Sequence, residues 1–188
     1  MKKTLVLFAL LYATNCAQNS DSFTDSRDGR KYKAIKMGDQ VWMAENLNFK
    51  AKEHKCYDNK PANCDKYGKL YDWEIAKTVC PKNWHLPADR EWQELIAFVG
   101  GEKQAGKQLK EKTGWASLPG GYFFVSDSEE MPSKFEKLGV DGCWWSASAG
   151  NEYEDYSTGN RWFIRNNDKV EDLPDEYGNS CSVRCVKD

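Results

Sequence analysis

Few side chains in this 188-residue chain have the types and spacing that catalysis needs. The best candidate is His85 in NWHLPADREW, with Asp89 and Glu91 just behind it. A histidine–carboxylate pair can move a proton in general acid–base chemistry. The same residues flank a proline turn at a helix start, where polar side chains commonly tie down backbone, and that structural role is the reading the pattern favours. His54 lies in the charged run KEHKC and reads as solvated. Ser146 and Ser148 have no G-x-S-x-G context and no adjacent base, so nothing local activates them as nucleophiles. Glycoside hydrolysis needs two carboxylates across a cleft, whereas the acids here gather in turn-like runs at 152–155 and 171–176. Asp168, Glu171, Asp172, Asp175 and Glu176 can offer the hard oxygen ligands that calcium takes, which leaves calcium as an alternative to the expected absence of any cofactor. Zinc would call for a C-x-x-C knuckle or neighbouring histidines, and neither is present.

The stretch GCWWSASAGNEYEDY suggests recognition instead. In a strand, Trp144 and Trp145 point to opposite faces. Trp144 is expected in the core, and Trp145 in a second cluster under the loops. Trp162 and Phe163 repeat the pattern. A sharper reading puts Trp145 or Trp162 on the floor of a shallow surface lined by Tyr153, Tyr156, Arg161, Arg165 and Asn166. Flat apolar rings framed by amides and charges suit sugars, whose faces are apolar and whose edges carry hydroxyls.

These residues need a scaffold, and the chain is long enough to build one domain with a real core. Aromatics reach 13%, and 27 basic residues nearly balance 29 acidic ones, for a formal net charge of −2. No basic block occurs, which argues against nucleic acid as a partner. The start, MKKTLVLFALLYATNC, has two lysines and an apolar run. That run is shorter than the roughly 20 residues a spanning helix requires and fits an export signal. Residues 1–15 read as the signal peptide and 16–27, polar and without period, as a tether. The domain proper is 28–188.

Six cysteines follow Cys16, an even number that in an exported chain reads as disulfides. Cys181 and Cys185 lie on one face of a strand-like segment, about 13 Å apart at strand rise. That exceeds the ~7 Å a disulfide can span, so each needs a distant partner. Cys56 and Cys64 flank the turn-rich YDNKPAN and can close a local loop. Cys80 and Cys143 then remain for the C-terminal segment.

The apolar spacing around Gly38-Asp39 predicts a hairpin over residues 31–49. Tyr71, Ile75, Ala76 and Val79 predict a helix of about two turns ended by Pro81. Trp92, Leu95, Ile96 and Val99 give the clearest helical stripe, stopped by Gly100-Gly101. A short helix is expected over 104–110. After Trp115, the runs GGYFFV, CWWSAS, RWFIRN and CSVRCV read as strands of an antiparallel sheet. The resulting class is α+β, with two or three helices on a small twisted sheet, long loops and disulfide staples.

Several stretches in order, DGRKYKAIKMGDQVWMAENLNF, CYDN, YGKLYDW, CPKNWHLPADREW, LPGGY, CWWSAS and SVRCVKD, resemble the Fibrobacter succinogenes major paralogous domain. The resemblance implies an exported, often lipid-anchored bacterial domain with a C-type lectin-like fold, shared with formylglycine-generating enzymes. It also implies a bridge from the first helical region to the last strand, by position Cys80–Cys185. Where members often carry an aromatic residue, this chain has Cys143, which implies an added bridge Cys143–Cys181 beside Cys56–Cys64. Members usually carry Ser or Thr at the position of Ala88, so a helix cap is missing here, at about 0.5–2 kcal/mol unless Asp89 takes over. The Glu-Pro-Asn, Gln-Pro-Asp and Trp-Asn-Asp triplets of calcium-dependent lectins are absent. Formylglycine-generating enzymes hold copper with paired thiols, but an even cysteine count makes disulfides sufficient.

The expected function is a non-catalytic cell-surface binding or adhesion module for carbohydrate or an envelope protein. Its alternatives are a structural surface protein or, at greater distance, a metal-dependent enzyme. It is expected at the outer membrane or cell surface, touching the membrane only through a lipid on Cys16. Mass spectrometry of membrane-extracted protein should find an acylated N-terminus at Cys16, and an unmodified chain starting elsewhere contradicts the anchor.

Overall fold

The hairpin predicted around Gly38-Asp39 forms as β2 (Lys31–Met37) and β3 (Gln40–Met43), with Ile35 opposite Trp42. The computed structural model describes residues 20–111, 114–152 and 157–188. Within the expected tether, Ser20–Thr24 instead forms β1, an edge strand on β2 with Phe23 opposite Tyr32. The cause is Phe23, whose ring stacks on Tyr32 at 5.6 Å and Trp84 at 4.2 Å. Just beyond, buried Asp25 holds Arg27 at 2.6 Å, and the Arg27 guanidinium covers the Phe49 ring at 3.9 Å. Part of the polar run is therefore a domain element; residues 16–19 lie outside the described residues.

The helical region differs in detail from the sequence pattern. YDNKPAN runs into α1 (Pro61–Tyr67), with proline at its first turn, where the missing N–H costs nothing. The next helix, α2 (Trp73–Ala76), is a single turn rather than two, capped by Asp72 accepting the Ile75 N–H. Tyr71 is drawn out of it into a bridge with Cys181. β4 (Trp84–His85) follows, then α3 (Asp89–Phe98) and α4 (Glu102–Lys110). Trp92, Leu95 and Ile96 of α3 are buried as their spacing predicts. The cap absent at Ala88 is replaced from outside the helix. Ser148 Oγ accepts the Asp89 N–H at 3.0 Å, and Glu91 accepts the Ala88 N–H at 2.8 Å.

The second half supplies β5 (Tyr122–Phe124) paired with β6 (Lys134–Glu136). A three-stranded antiparallel sheet follows: β7 (Gly142–Glu152), β8 (Ser157–Ile164) and β9 (Val170–Pro174). Within CSVRCV, Cys181 and Ser182 make only isolated bridges, to Tyr71 and Trp144, and Ser180 just before them bridges Phe123, while Val186 begins a strand. The last strand, β10 (Val186–Lys187), enters the first sheet, whose order is β1-β2-β3-β10-β4. The class is thus α+β, small antiparallel sheets with a few helices.

Opposite-facing tryptophans make the β7–β8 sheet a partition between two cores. Trp144 pairs with Trp162 across the strands and packs with Trp42, Trp92 and Trp115. Trp145 faces the other way, among Tyr71, Trp73, Val183 and Phe163. That second cluster is no smaller than the first. Three disulfides staple the whole: Cys56–Cys64, Cys80–Cys185 and Cys143–Cys181. These are the pairs the resemblance implies. Cys80–Cys185 spans 105 residues, for which chain entropy gives about 4–5 kcal/mol. Trp144 is fully buried, so Trp144→Ala should destabilise by about 3–5 kcal/mol in urea titration. A loss like that of a surface change would contradict the two-core arrangement.

Candidate functional site

Strand β8 decides where the proposed binding residues go. Asn160, Trp162 and Ile164 face the tryptophan core, while Arg161, Phe163 and Arg165 face the other side. Trp145 is 0% exposed and Trp162 5%. Trp145 therefore floors no open surface, whereas Trp162, though buried, borders a concavity of about 320 Å³ with Gln93, Glu102, Val170, Glu171 and Asp172. Trp145 donates its indole N–H to Tyr71 O at 2.7 Å, and Trp162 donates to Asp89 at 2.8 Å. Tyr153 and Tyr156 lie outside the described residues.

The two arginines are already engaged. Arg161 lies against Asp175 at 3.4 Å and donates to Pro174 O at 3.1 Å. Burial pulls its pKa down, against the charge of Asp175. Arg165 stacks 4.0 Å over Phe163 and donates to Glu171 at 2.7 Å and Asp141 at 3.1 Å. Asn166 is exposed, and its backbone N–H is fixed by Asp141 at 2.9 Å. Arg165 and Asn166 border a wide polar basin of about 530 Å³ with Lys137, Lys169 and Glu171. Lys110 of α4 pins the turn behind it by donating to Asn166 O at 3.0 Å and Asp168 at 2.8 Å.

The acids considered for calcium are dispersed among other partners. Asp168 pairs with Lys110, and Glu171 with Arg165 and Lys169. Hydrogen bonds from Lys169 and Arg165 hold the Glu171 carboxyl below its ordinary value. Asp172 accepts from Asn160, and Asp175, 1% exposed, accepts the N–H groups of Gly178 and Asn179. Among the described residues, no three His, Cys, Asp or Glu side chains gather to hold a metal ion. The six cysteines after Cys16 are all bridged, so they offer copper no thiol pair.

A second concavity lies at the opposite end of β8. It is a groove of about 460 Å³ with Trp73 and Ile75 among its walls and Lys52, Glu53, Asp72, Glu74 and Thr158 around them. Seven residues of strand separate Thr158 from Arg165, about 24 Å at strand rise, so this groove is separate from the basin at Arg165 and Asn166. Gly159 seats Trp73 in the groove wall. A Cβ there would stand 2.2 Å from Trp73 Cδ1, so only glycine lets the indole lie against the strand. Trp73 also donates to Ser146 O at 2.8 Å, and Lys77 lies 4.2 Å over its ring. Sequence reading assigned Trp73 no role in a site. The one available signal was an isolated glycine inside the strand run STGNRWF, a mark of close backbone approach.

His85 does form its carboxylate pair. Its Nε2 is 2.8 Å from Glu91 and its Nδ1 2.7 Å from Asp188. Asp89 is not part of it and instead receives Trp162 and Asn160. A carboxylate on each ring nitrogen favours the doubly protonated imidazole, which links α3 to the C-terminal segment. No hydroxyl or thiol among the described residues hydrogen-bonds to it.

Together these features define a disulfide-stapled α+β domain with several surface concavities and no assembled catalytic group among the described residues. Residues 35–187 match the model of the Fibrobacter succinogenes major domain, and the chain belongs to that family. No curated protein and no solved structure matches it.

Burial opposes the His85 charge, but the hydrogen bonds to Asp188 and Glu91 outweigh it, and the pKa rises above 6.5. A raised pKa means stability that is fully present below 6.5 and lost as pH climbs through the folded value. The side chain is 41% exposed, so solvent limits the effect to about 1 kcal/mol or less. Urea titrations should show wild type losing this increment on the alkaline side of 6.5, and His85→Gln showing no such loss.

Proposed function

We propose that this protein is an exported, Cys16-anchored, non-catalytic binding module of C-type lectin-like architecture, and that its ligand is carbohydrate. The architecture is supported by the Cys80–Cys185 staple from the helical region to the chain end, and by β10 returning beside the N-terminal hairpin. The observation that carries the function is the groove at Trp73. Its walls combine an indole and an aliphatic side chain with carboxylates, an ammonium and a hydroxyl. A pyranose presents an apolar face and a rim of hydroxyls, and that arrangement meets both halves. The acidic side chains outnumber the cations there, which favours neutral over anionic sugars. Thr158 in the groove follows Tyr156 by two residues in the chain, so the tyrosine pair remains in the proposal.

Detergent-solubilised protein should retain neutral glycans on an array. Lys52 and Glu53 are exposed, and replacing both by Ala should weaken retention while stability moves by no more than about 0.5 kcal/mol. Tyr153→Ala/Tyr156→Ala should do the same. A tyrosine pair as destabilising as Trp144→Ala belongs to the core instead. Retention of an envelope protein with no glycan makes the ligand a protein. Retention of neither leaves the structural surface role.

A further inference from the structure

We infer that the end of the molecule formed by the β2–β3 turn and the C-terminus of α3 rests on the lipid surface. The inference depends on the anchoring of Cys16 proposed above and concerns how the domain then stands. Ser20 lies opposite Ile35 in an antiparallel pair. The chain leading into β1 therefore arrives from the side of Lys36, Met37 and the Gly38-Asp39 turn. Four peptide units join Cys16 to Ser20 and reach at most about 14 Å when fully extended. The turn itself stands about 10 Å past the Ser20–Ile35 level at strand rise. An acylated Cys16 can thus clear the turn by only a few ångströms. A lipid embedded there brings this end of the sheet down to the headgroups.

The surface at this end suits that neighbour. Phe98, the last residue of α3, is 45% exposed. Its ring caps the turn, since a Cβ on Gly38 would meet Phe98 Cδ2 at 3.2 Å. Gly100 and Gly101 follow and leave the phenyl unscreened by larger side chains. Met37, Phe98, Val99 and Gly100 border an open cleft of about 330 Å³. Lys36 and Asp39 are both exposed at the turn and can meet the phosphate and the ammonium of a zwitterionic headgroup. One phenyl cannot hold a domain to a bilayer, but the acyl chains do the holding. The phenyl has only to choose which end faces down.

The test uses the native acylated protein in vesicles of phosphatidylethanolamine and phosphatidylglycerol with a trace of diazirine-bearing phospholipid. Photo-crosslinked adducts are mapped by peptide mass spectrometry, and the intact mass of the same sample reports the acyl chains on Cys16. Adducts should concentrate in residues 36–40 and 98–101. Phe98→Ala, with folding checked by its disulfide map, should lose the adducts at 98–101 while staying anchored. A Gly/Ser insert of about twenty residues before Ser20, adding roughly 25 Å of mean reach, should disperse the adducts. With Cys16 acylated, adducts spread evenly, or centred on Lys31 and Lys33, overturn the orientation alone. An unacylated Cys16 overturns the anchor and the orientation with it.

Discussion

A single buried cation ties the two halves of the domain together. Arg184 is fully buried, and among the described residues no carboxylate pairs with it. Its Nε donates to Asn46 Oδ1 at 2.8 Å and its Nη2 to Ala116 O at 3.0 Å, while Nη1 reaches Trp115 O. The guanidinium lies 3.7 Å over the Trp115 ring. A buried charge is costly unless its hydrogen bonds are satisfied, so these acceptors must stay in place. Burial draws the pKa down to about 9, with only Glu45 opposing, and the group stays charged at neutral pH. Asn46 is the junction. The same Oδ1 accepts the Trp144 indole at 2.9 Å, and Nδ2 donates to Tyr67 O at 2.8 Å and Ser182 Oγ at 3.3 Å. Residues after the first hairpin, at the end of α1, in β7 and near the chain end are thereby fixed to one another. Ala116 holds a φ of 51° beside it, a left-handed conformation that costs about 1–3 kcal/mol.

What the sequence made legible was local or periodic. The α3 stripe could be read because Trp92, Leu95 and Ile96 repeat at helical spacing, and the hairpin because Gly38-Asp39 punctuates apolar runs. The cysteine pairs needed more. Geometry excluded Cys181–Cys185, and the family resemblance supplied the partners. Arg184 gave no signal, since in SVRCV it occupies an ordinary polar alternation and its partner Asn46 is 138 residues away. β1 was missed for a similar reason: Phe23 is one aromatic in a polar run, and its stacking partners Tyr32 and Trp84 belong to other segments. α2 was overcalled because Tyr71 and Val79 fit a helical face, but Tyr71 is claimed by Cys181.

The binding surface was the least legible part. Aromatic residues flanked by polar ones look the same in sequence whether the sheet has one open face or none. The two-core partition buries Trp145 and Trp162 and turns Arg161 and Arg165 to structural pairings. Concavities remain at both ends of β8, between Trp162 and α3, and near the β2–β3 turn. Gly159 shows how a candidate groove can depend on what is missing, since the Trp73 indole occupies the place a side chain there would take.

The strand order β1-β2-β3-β10-β4 also bears on when this domain can become folded. β10 sits between β3 and β4, so the first sheet stays split until residue 186 is available. The Arg184 junction and the Cys80–Cys185 staple wait for the same segment. Pairings this distant in sequence form slowly. A chain threading a translocation pore N-terminus first would therefore remain unclosed, and so threadable, until almost all of it had passed. For the exported protein proposed above, the topology would delay closure until the C-terminal segment had reached the compartment where thiols oxidise.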